Sequence, residues 1–154
     1  MSALHALQEA SYRGADGALR GSWPVKQAMD AAELDRFLDE RRYCILATTT
    51  GKGRPQARPV AFTVFHDAFW FGTVAGGRLR NLERTPWVSV VISDGEGDEH
   101  RAVALDGPVT LFSEPPEGLP ELWEQRLGSR ADWAVAWFEL RPERLYSYDA
   151  SRVA

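Results

Sequence analysis

A glycine loop followed by arginines is the part of this sequence best suited to hold an anion. Ala75–Gly77 precedes Arg78 and Arg80, and the segment Gly77–Arg84 is predicted to be a short helix. The first N–H groups of a helix have no partner within it and attract negative charge. Cations in that turn cost on the order of 0.3–1 kcal/mol each, which a bound anion would offset. The pattern favours a phosphate site, and the alternative is an exposed helix whose arginines reach solvent.

Another arginine lies upstream, in a strand that is otherwise apolar. Alternation along the predicted strand places Arg58 on the same face as Val60 and Phe62. A charged side chain among apolar ones needs a partner. A ligand anion, a ring oxygen of a ligand or a carboxylate such as Asp106 would each serve, and the sequence leaves these three open.

Charge is distributed unevenly along the 154 residues, whose formal net charge is −4. Residues 51–84 contain six basic side chains but only two acidic ones, Asp67 and Glu83, so a cationic segment lies within an acidic protein. This balance argues against a nucleic-acid partner and suits a small anionic ligand. No run of about 18 apolar residues is present. Met1–Arg20 has no apolar stretch behind a basic start, so we expect a cytoplasmic protein that does not enter a membrane.

The side-chain groupings that catalyse reactions without a cofactor are missing from this sequence. Cys44 is the single cysteine and is predicted to be buried, and the three histidines lie in unrelated segments, so we predict no metal site. No serine lies in a nucleophile elbow. The catalytic residues are therefore unknown at this point. Phosphate contacts beside aromatic strands are typical of a protein whose cofactor supplies the chemistry.

Short strands and helices must position these residues. Strands are predicted at 43–50, 56–65, 69–73, 87–93, 100–112, 133–140 and 145–148, with a bend or bulge at Gly107-Pro108. Helices are predicted at 30–41, with Asp30 and Glu33 as a capping box, at 77–84 and at 119–127. Residues 1–28 form an N-terminal arm, either a short helix or a segment packed on a partner, before one domain over 29–154. The fold class is α+β and mostly antiparallel, and closure into a barrel would remove exposed strand edges.

The order and spacing of five segments are similar to those of a known family. The segments are Leu46-Ala47-Thr48, Gly53 to Val60, Phe71-Gly72-Thr73, Arg78 to Leu82 and Pro86-Trp87-Val88, before a long strand that reaches Gly107. Together they resemble the pyridoxamine 5'-phosphate oxidase-like superfamily of FMN-binding split β-barrels. The resemblance covers about residues 30–148.

This resemblance implies a six- to seven-stranded split β-barrel with short flanking helices, assembled as a homodimer with two FMN sites at its interface. A deazaflavin coenzyme is the alternative cofactor. The family has an arginine at the start of the strand along the flavin ring and a lysine or arginine at the phosphate. The matching residues here are Arg58 at the start of that strand, Pro59, Val60, Ala61, Phe62 and Thr63 along the ring, Gly72 and Thr73 beside the ribityl phosphate, and Gly77 and Arg78 at the phosphate.

The chain departs from the oxidases of this family at several positions. Gly77-Arg78 stands where Ser-Arg-Lys is frequent, Thr63 where the oxidases have lysine, and Ala102 where they tend to have a flavin-contacting glutamine. Their C-terminal substrate-binding pattern of arginine and histidine is not recognisable. We therefore expect an FMN-dependent oxidoreductase for an unknown small substrate and not synthesis of pyridoxal phosphate.

A non-enzymatic function is the competing expectation. The same pocket could sequester flavin, deazaflavin or haem without turnover, and His66 and His100 are the available haem ligands. Residues that complete the pocket from a partner chain are expected among Trp133, Trp137 and the segment Met1–Pro24.

Overall fold

Eight antiparallel strands and five short α-helices make up the fold of the computed structural model, which describes residues 2–152. The strands are β1 (Tyr43–Thr49), β2 (Pro55–Ala61), β3 (Thr63–Phe65), β4 (Ala68–Thr73), β5 (Trp87–Asp94), β6 (Arg101–Phe112), β7 (Ala136–Leu140) and β8 (Arg144–Asp149). The helices are α1 (Ala3–Arg13), α2 (Gly17–Ser22), α3 (Ala31–Asp39), α4 (Gly77–Arg84) and α5 (Leu119–Leu127). Short 3₁₀ turns cover Val25–Gln27 and Gly97–Glu99.

The sheet curls into a split barrel. Its strand order is β2-β1-β5-β6-β7-β4-β3, and β8 pairs with β6 outside this path. The two ends of the path, β2 and β3, are joined by the single residue Phe62. This topology confirms the predicted α+β, mostly antiparallel split barrel, with one strand more than the six or seven expected.

The prediction of one continuous strand at 56–65 was wrong, and this accounts for the additional strand. The segment is two strands, since all of β2 pairs with β1 whereas β3 pairs with β4. Phe62, between them, is fully buried, and its N–H donates to the Arg42 carbonyl at 3.0 Å. The apolar alternation continues through the bend, so the sequence pattern does not reveal it.

Gly107, where the sequence predicts a bend or bulge, is the place where β6 changes partners. Residues up to Asp106 pair with β8, and residues from Val109 pair with β7. A Cβ at Gly107 would lie 2.7 Å from the Arg141 carbonyl oxygen and 2.8 Å from the Pro142 Cα. Only glycine therefore fits where the loop between β7 and β8 crosses the strand.

The capping box predicted for α3 is present. The Glu33 N–H donates to Asp30 Oδ1, and the Asp30 N–H donates to Glu33 Oε2, each at 2.9 Å. The helix ends at Asp39, two residues before the predicted end, and Arg126 donates to the carbonyls of residues 38, 39 and 41. These bonds satisfy carbonyl groups that the end of a helix leaves without partners.

Two clusters of buried side chains stabilise the barrel. The larger fills its interior and includes Phe37, Leu46, Phe62 and Phe138. The smaller lies under α5 and contains Trp70, Trp123 and Trp137 among its buried members. The last predicted strand before β8 begins later than expected, at Ala136 and not at Trp133, because residues 131–135 turn across the end of β4.

Residues 3–13 form a helix that packs on β8 of the same chain. Buried Gln8 donates from Nε2 to the Met29 carbonyl at 2.8 Å, and the Leu145 N–H donates to Ser11 Oγ at 3.0 Å. Leu4 and Met29 belong to the barrel core. Within residues 2–152, no helix has both the length and the apolar character needed to cross a bilayer.

Candidate functional site

The anion loop predicted from the sequence begins where β4 ends. Thr73 is the last residue of β4, Val74 and Ala75 are exposed, and Gly76 has a φ of 149°, a conformation that favours glycine. α4 then begins at Gly77 with no side chain capping its first turn. A Cβ at Gly76 would meet no atom within 4 Å, so open space lies in front of the helix. The first amides of α4 can therefore donate to an outside acceptor.

A buried amide fixes α4 against the sheet. Asn81 is 5% exposed, and its Nδ2 donates to Thr48 Oγ1 at 3.1 Å and to Gln56 Oε1 at 3.4 Å. Arg84 donates to Asn81 Oδ1 at 3.4 Å. These bonds tie α4 to β1 and β2 and so set the position of its first turn. The local sequence does not mark this role, because Asn81 is simply a polar residue beside a buried leucine.

Arg58 and Arg78 lie near each other. Arg58 is opposite Leu46 in the ladder between β1 and β2, and paired residues share a face. Burial lowers the pKa of the half-buried Arg78 guanidinium, and the charge of Arg58 lowers it further. Among residues 2–152, no carboxylate contributes to that shift. Two neighbouring cations without a carboxylate between them favour the binding of an anion.

The structure removes one of the three partners considered for Arg58. Asp106, the carboxylate considered as one possible partner of Arg58, instead binds Arg144 through both carboxylate oxygens, at 3.2 Å and 2.9 Å. Arg58 is exposed and donates from Nη1 to the Ala57 carbonyl at 2.9 Å. A carbonyl acceptor does not neutralise the charge of the guanidinium.

The strand matched to the flavin ring presents residues on both faces. Val60 lies on the same face as Arg58 and packs against the barrel core, whereas Pro59 and Ala61 lie on the outer face. From Pro55 to Pro59 every residue is exposed. An exposed strand at the end of a sheet path is accessible to a flat ligand or to another chain.

Phe62 and Thr63 are placed differently from the rest of that strand. Both residues are fully buried, backbone included, so neither presents an atom at the surface of the chain. Thr63 Oγ1 has no hydrogen-bond partner among the described residues, and neither has the Nε1 of Trp70, which is opposite Thr63 in the ladder. Buried polar atoms are rarely left without hydrogen-bond partners, so Thr63 Oγ1 and Trp70 Nε1 are unusual. Thr63 ends the segment predicted to follow the flavin ring, and Trp70 lies opposite it.

Gly72 and Thr73, predicted to lie beside the ribityl phosphate, are buried at the end of β4. A Cβ at Gly72 would lie 3.1 Å from Ala134 Cβ and 3.2 Å from the ring of Trp133. The close approach of Trp133 and Ala134 from the same chain therefore explains why position 72 is a glycine. Thr73 Oγ1 donates to the Val74 carbonyl at 3.2 Å. Trp133 covers the end of β4 while remaining 51% exposed, which leaves an aromatic surface next to the strand that leads into the anion loop.

Cys44 is buried, as predicted, on the inner face of β1. Burial raises the pKa of its thiol to about 12, and the opposing effect of the Arg78 charge is smaller. A neutral buried thiol is a poor nucleophile and a poor metal ligand. Cys44 is therefore part of the packing beneath the arginines.

His66 and His100 lie in separate connecting segments. His66, in the turn between β3 and β4, is exposed, with its ring centroid 4.0 Å from that of Phe65. His100 precedes β6, and its Nε2 is 2.9 Å from Ser93 Oγ. In the part of the chain that the structure describes, no group of three or more His, Cys, Asp or Glu side chains is placed to hold a metal ion.

Comparison with known proteins gives a clear match to one family. The model of the family described as pyridoxamine 5'-phosphate oxidase matches residues 31–149, which is more than half of the chain. No protein of curated function matches the sequence.

Solved structures share the fold at low sequence identity. A conserved hypothetical protein from Mycobacterium tuberculosis is 24% identical with a TM-score of 0.73, over 84% of this chain and 91% of that chain. An FAD-binding protein from Mesorhizobium loti is 20% identical with a TM-score of 0.65, over 79% and 93% of the two chains. A haem storage protein from Vibrio cholerae is 21% identical with a TM-score of 0.63, over 79% and 97%. At these identities the likeness establishes the fold alone.

Proposed function

This chain belongs to the pyridoxamine 5'-phosphate oxidase family, and from that premise we propose that it is an FMN-dependent oxidoreductase acting on a small substrate. The observation that carries the proposal is the uncapped start of α4 after a glycine loop, with Arg78 in its first turn and the charge of Arg58 nearby. A phosphate group suits this arrangement because its charge offsets the repulsion between the two cations and its oxygens accept from the free amides. The FAD-binding neighbour supports a flavin-type cofactor in general.

The residues present fit such a cofactor at its anionic end. Arg78 and the first amides of α4 would hold the phosphate, and Arg58 would donate to the phosphate or to a ring oxygen. The segment from Arg58 to Ala61, which is exposed at Arg58 and Pro59 and half-buried at Val60 and Ala61, would lie along the ring. When bound, a flavin supplies hydride transfer, and the chain's own residues bind and orient it.

We also propose that the chain is a homodimer with the cofactor at the interface. The outer face of β1 and β5 exposes Tyr43 at 66%, Ile45 at 44%, Trp87 at 41% and Val91 at 41%. Ile45 and Val91 are directly paired, and exposed β2 continues the surface on the far side of β1. Exposed apolar faces of this kind mark interaction sites. A second copy would cover this face beside the strand that carries Arg58.

A second candidate function is binding of a planar ligand without turnover. The fold similarity to a haem storage protein favours haem as that ligand, and deazaflavin is a further candidate within this class. His66 and His100 are the residues to test as haem ligands. The hydrogen bond between His100 and Ser93 occupies its Nε2, so the Nδ1 of this ring is the better candidate for an iron ligand.

One experiment separates these functions. The purified protein is examined by visible absorbance and by mass measurement of any copurifying ligand, and is then mixed with a nicotinamide donor. A bound flavin that the donor or a panel of small substrates reduces supports the oxidoreductase. A bound cofactor that none of them reduces favours the binding module, and a haem spectrum that His100→Ala removes would replace the flavin proposal.

A further inference from the structure

A cavity beside α1 lies apart from the arginine loop, and we propose that it binds a small organic acid with an apolar body. The cavity has a volume of about 490 Å³ and lies between α1, the turn at Val25–Gln27 and Arg152. None of Arg58, Gly77 or Arg78 lines it. Most of its walls come from residues 5–30, before the matched family region at 31–149. The site would therefore belong to an addition that this chain carries on the family fold.

The size and the apolar walls suit a small molecule. Ligand sites commonly have volumes of roughly 300–1,000 Å³ and are lined by apolar side chains with a few polar groups. Tyr12 and Met29 are buried at the wall, and Val25 and Ala28 add apolar surface from the turn. This surface would contact the hydrocarbon part of a ligand.

Buried hydrogen bonds hold the walls in place. Gln8 Nε2 donates to the Met29 carbonyl at 2.8 Å, and the Met29 N–H donates to Ser147 Oγ at 2.8 Å. Tyr12 Oη donates to the Ser147 carbonyl at 3.2 Å. Because these bonds join α1, the turn and β8, the cavity is formed before a ligand arrives, which reduces the ordering cost of binding.

The charges around the cavity favour an acid. Arg152 lines it but is already ion-paired with Glu33, whereas Arg13 and Arg20 line it without a carboxylate partner among residues 2–152; the carboxylates at the wall are those of Glu9 and Asp30. Asp30 accepts the Glu33 N–H as the cap of α3. The Arg20 guanidinium donates to the carbonyls of residues 12 and 15, which position it at the wall. A carboxylate suits these guanidinium groups because each can donate two N–H bonds to it.

A buried polar atom at the cavity also lacks a partner. His5 lines the cavity, and its Nδ1 is buried without a hydrogen-bond partner among residues 2–152. The nearest carboxylate oxygen, on Glu9, is 3.8 Å away, which is beyond hydrogen-bond distance. A ligand carboxylate could accept from this nitrogen when it carries the proton.

Isothermal titration calorimetry with 2-naphthoate as the probe tests the proposal. The wild-type protein should bind it saturably, and Arg13→Ala should weaken binding about tenfold or more, as expected for a hydrogen bond to a charged group. Lys26→Ala is the matched control, because Lys26 is an exposed cation in the same segment that does not line the cavity. Ala28→Trp, which fills the cavity, should abolish binding while the circular dichroism spectrum is retained.

Three results would overturn the proposal. The first is no saturable binding of 2-naphthoate at millimolar concentration. The second is equal or tighter binding of the neutral methyl ester or of 2-naphthylmethylamine, which would show that the cavity does not select an acid. The third is loss of 2-naphthoate binding in Arg78→Ala with retention in Arg13→Ala, which would place the probe at the cofactor loop. Failure of FMN to bind would leave this proposal standing, because the two sites share no residue.

Discussion

Arg58 on β2 and Arg78 at the start of α4 lie close enough that the charge of one lowers the pKa of the other. The two residues lie at opposite ends of the segment 58–78, which also contains β3 and β4. Asn81 makes this approach possible by tying α4 to both β1 and β2 through its side-chain amide. The fold thus holds two cations near each other, and this arrangement favours the binding of an anion.

Removal of Arg78 should weaken FMN binding. Arg78→Ala is expected to cost about 1.5–3 kcal/mol of binding free energy, the range for a hydrogen bond to a charged group. The dissociation constant from flavin fluorescence quenching checks this. Lys52→Ala, an exposed cation in the turn before β2, should leave the constant unchanged. Equal affinities of Arg78→Ala and wild type would remove Arg78 from the site.

Inorganic phosphate should stabilise the protein through the same pair of arginines. The midpoint of thermal unfolding should rise on adding phosphate to the wild type, and should rise less in Arg58→Ala. Without phosphate, Arg58→Ala should not be destabilised, because the substitution removes a repulsion and a single hydrogen bond to the Ala57 carbonyl. A large loss of stability in phosphate-free buffer would show instead that Arg58 has a structural role.

Gly107→Ala should destabilise the fold. The added Cβ would lie 2.7 Å and 2.8 Å from backbone atoms of the loop after β7, which has no flexible side chain to move aside. We expect a loss of about 1–3 kcal/mol in the free energy of unfolding, as for other overpacked sites. Urea denaturation measures it. Gly21→Ala in α2 is the control, because its Cβ meets nothing within 4 Å, and it should be neutral or stabilising.

Local signals made α3, α4 and α5 predictable, whereas the break between β2 and β3 depends on distant residues. Asp30 and Glu33 lie three positions apart and cap α3 as expected, because a capping box involves only its own turn. The bend at Phe62 exists because β3 finds its partner in β4 while β2 keeps β1. Nothing within residues 56–65 marks that change of partner.

The candidate site was predictable in part for the same reason. The glycines and arginines around α4 lie within a few residues of one another and predict an anion loop. In the structure, Arg58 lies near that loop. The role of Asn81 depends on Thr48 and Gln56, and the pairing of Asp106 with Arg144 depends on the register between β6 and β8. Such tertiary contacts have no local signature.

Cys44 should resist modification until the protein unfolds. Its folded pKa of about 12 lies above the ordinary value of 9.0, so the neutral buried thiol favours the fold at pH values below 9. That contribution is lost as the pH rises from 9 towards 12. Near neutral pH, a chromogenic thiol reagent should label the protein only after addition of denaturant. Stoichiometric labelling of the native protein would contradict the burial of this residue.

FMN binding to the purified protein tests the central claim most directly. Titration followed by visible absorbance and by native mass spectrometry should show one FMN per chain on a species of twice the chain mass, with micromolar or tighter affinity. Failure of both FMN and a deazaflavin to bind at micromolar concentrations would contradict the account, whatever the state of the cavity beside α1.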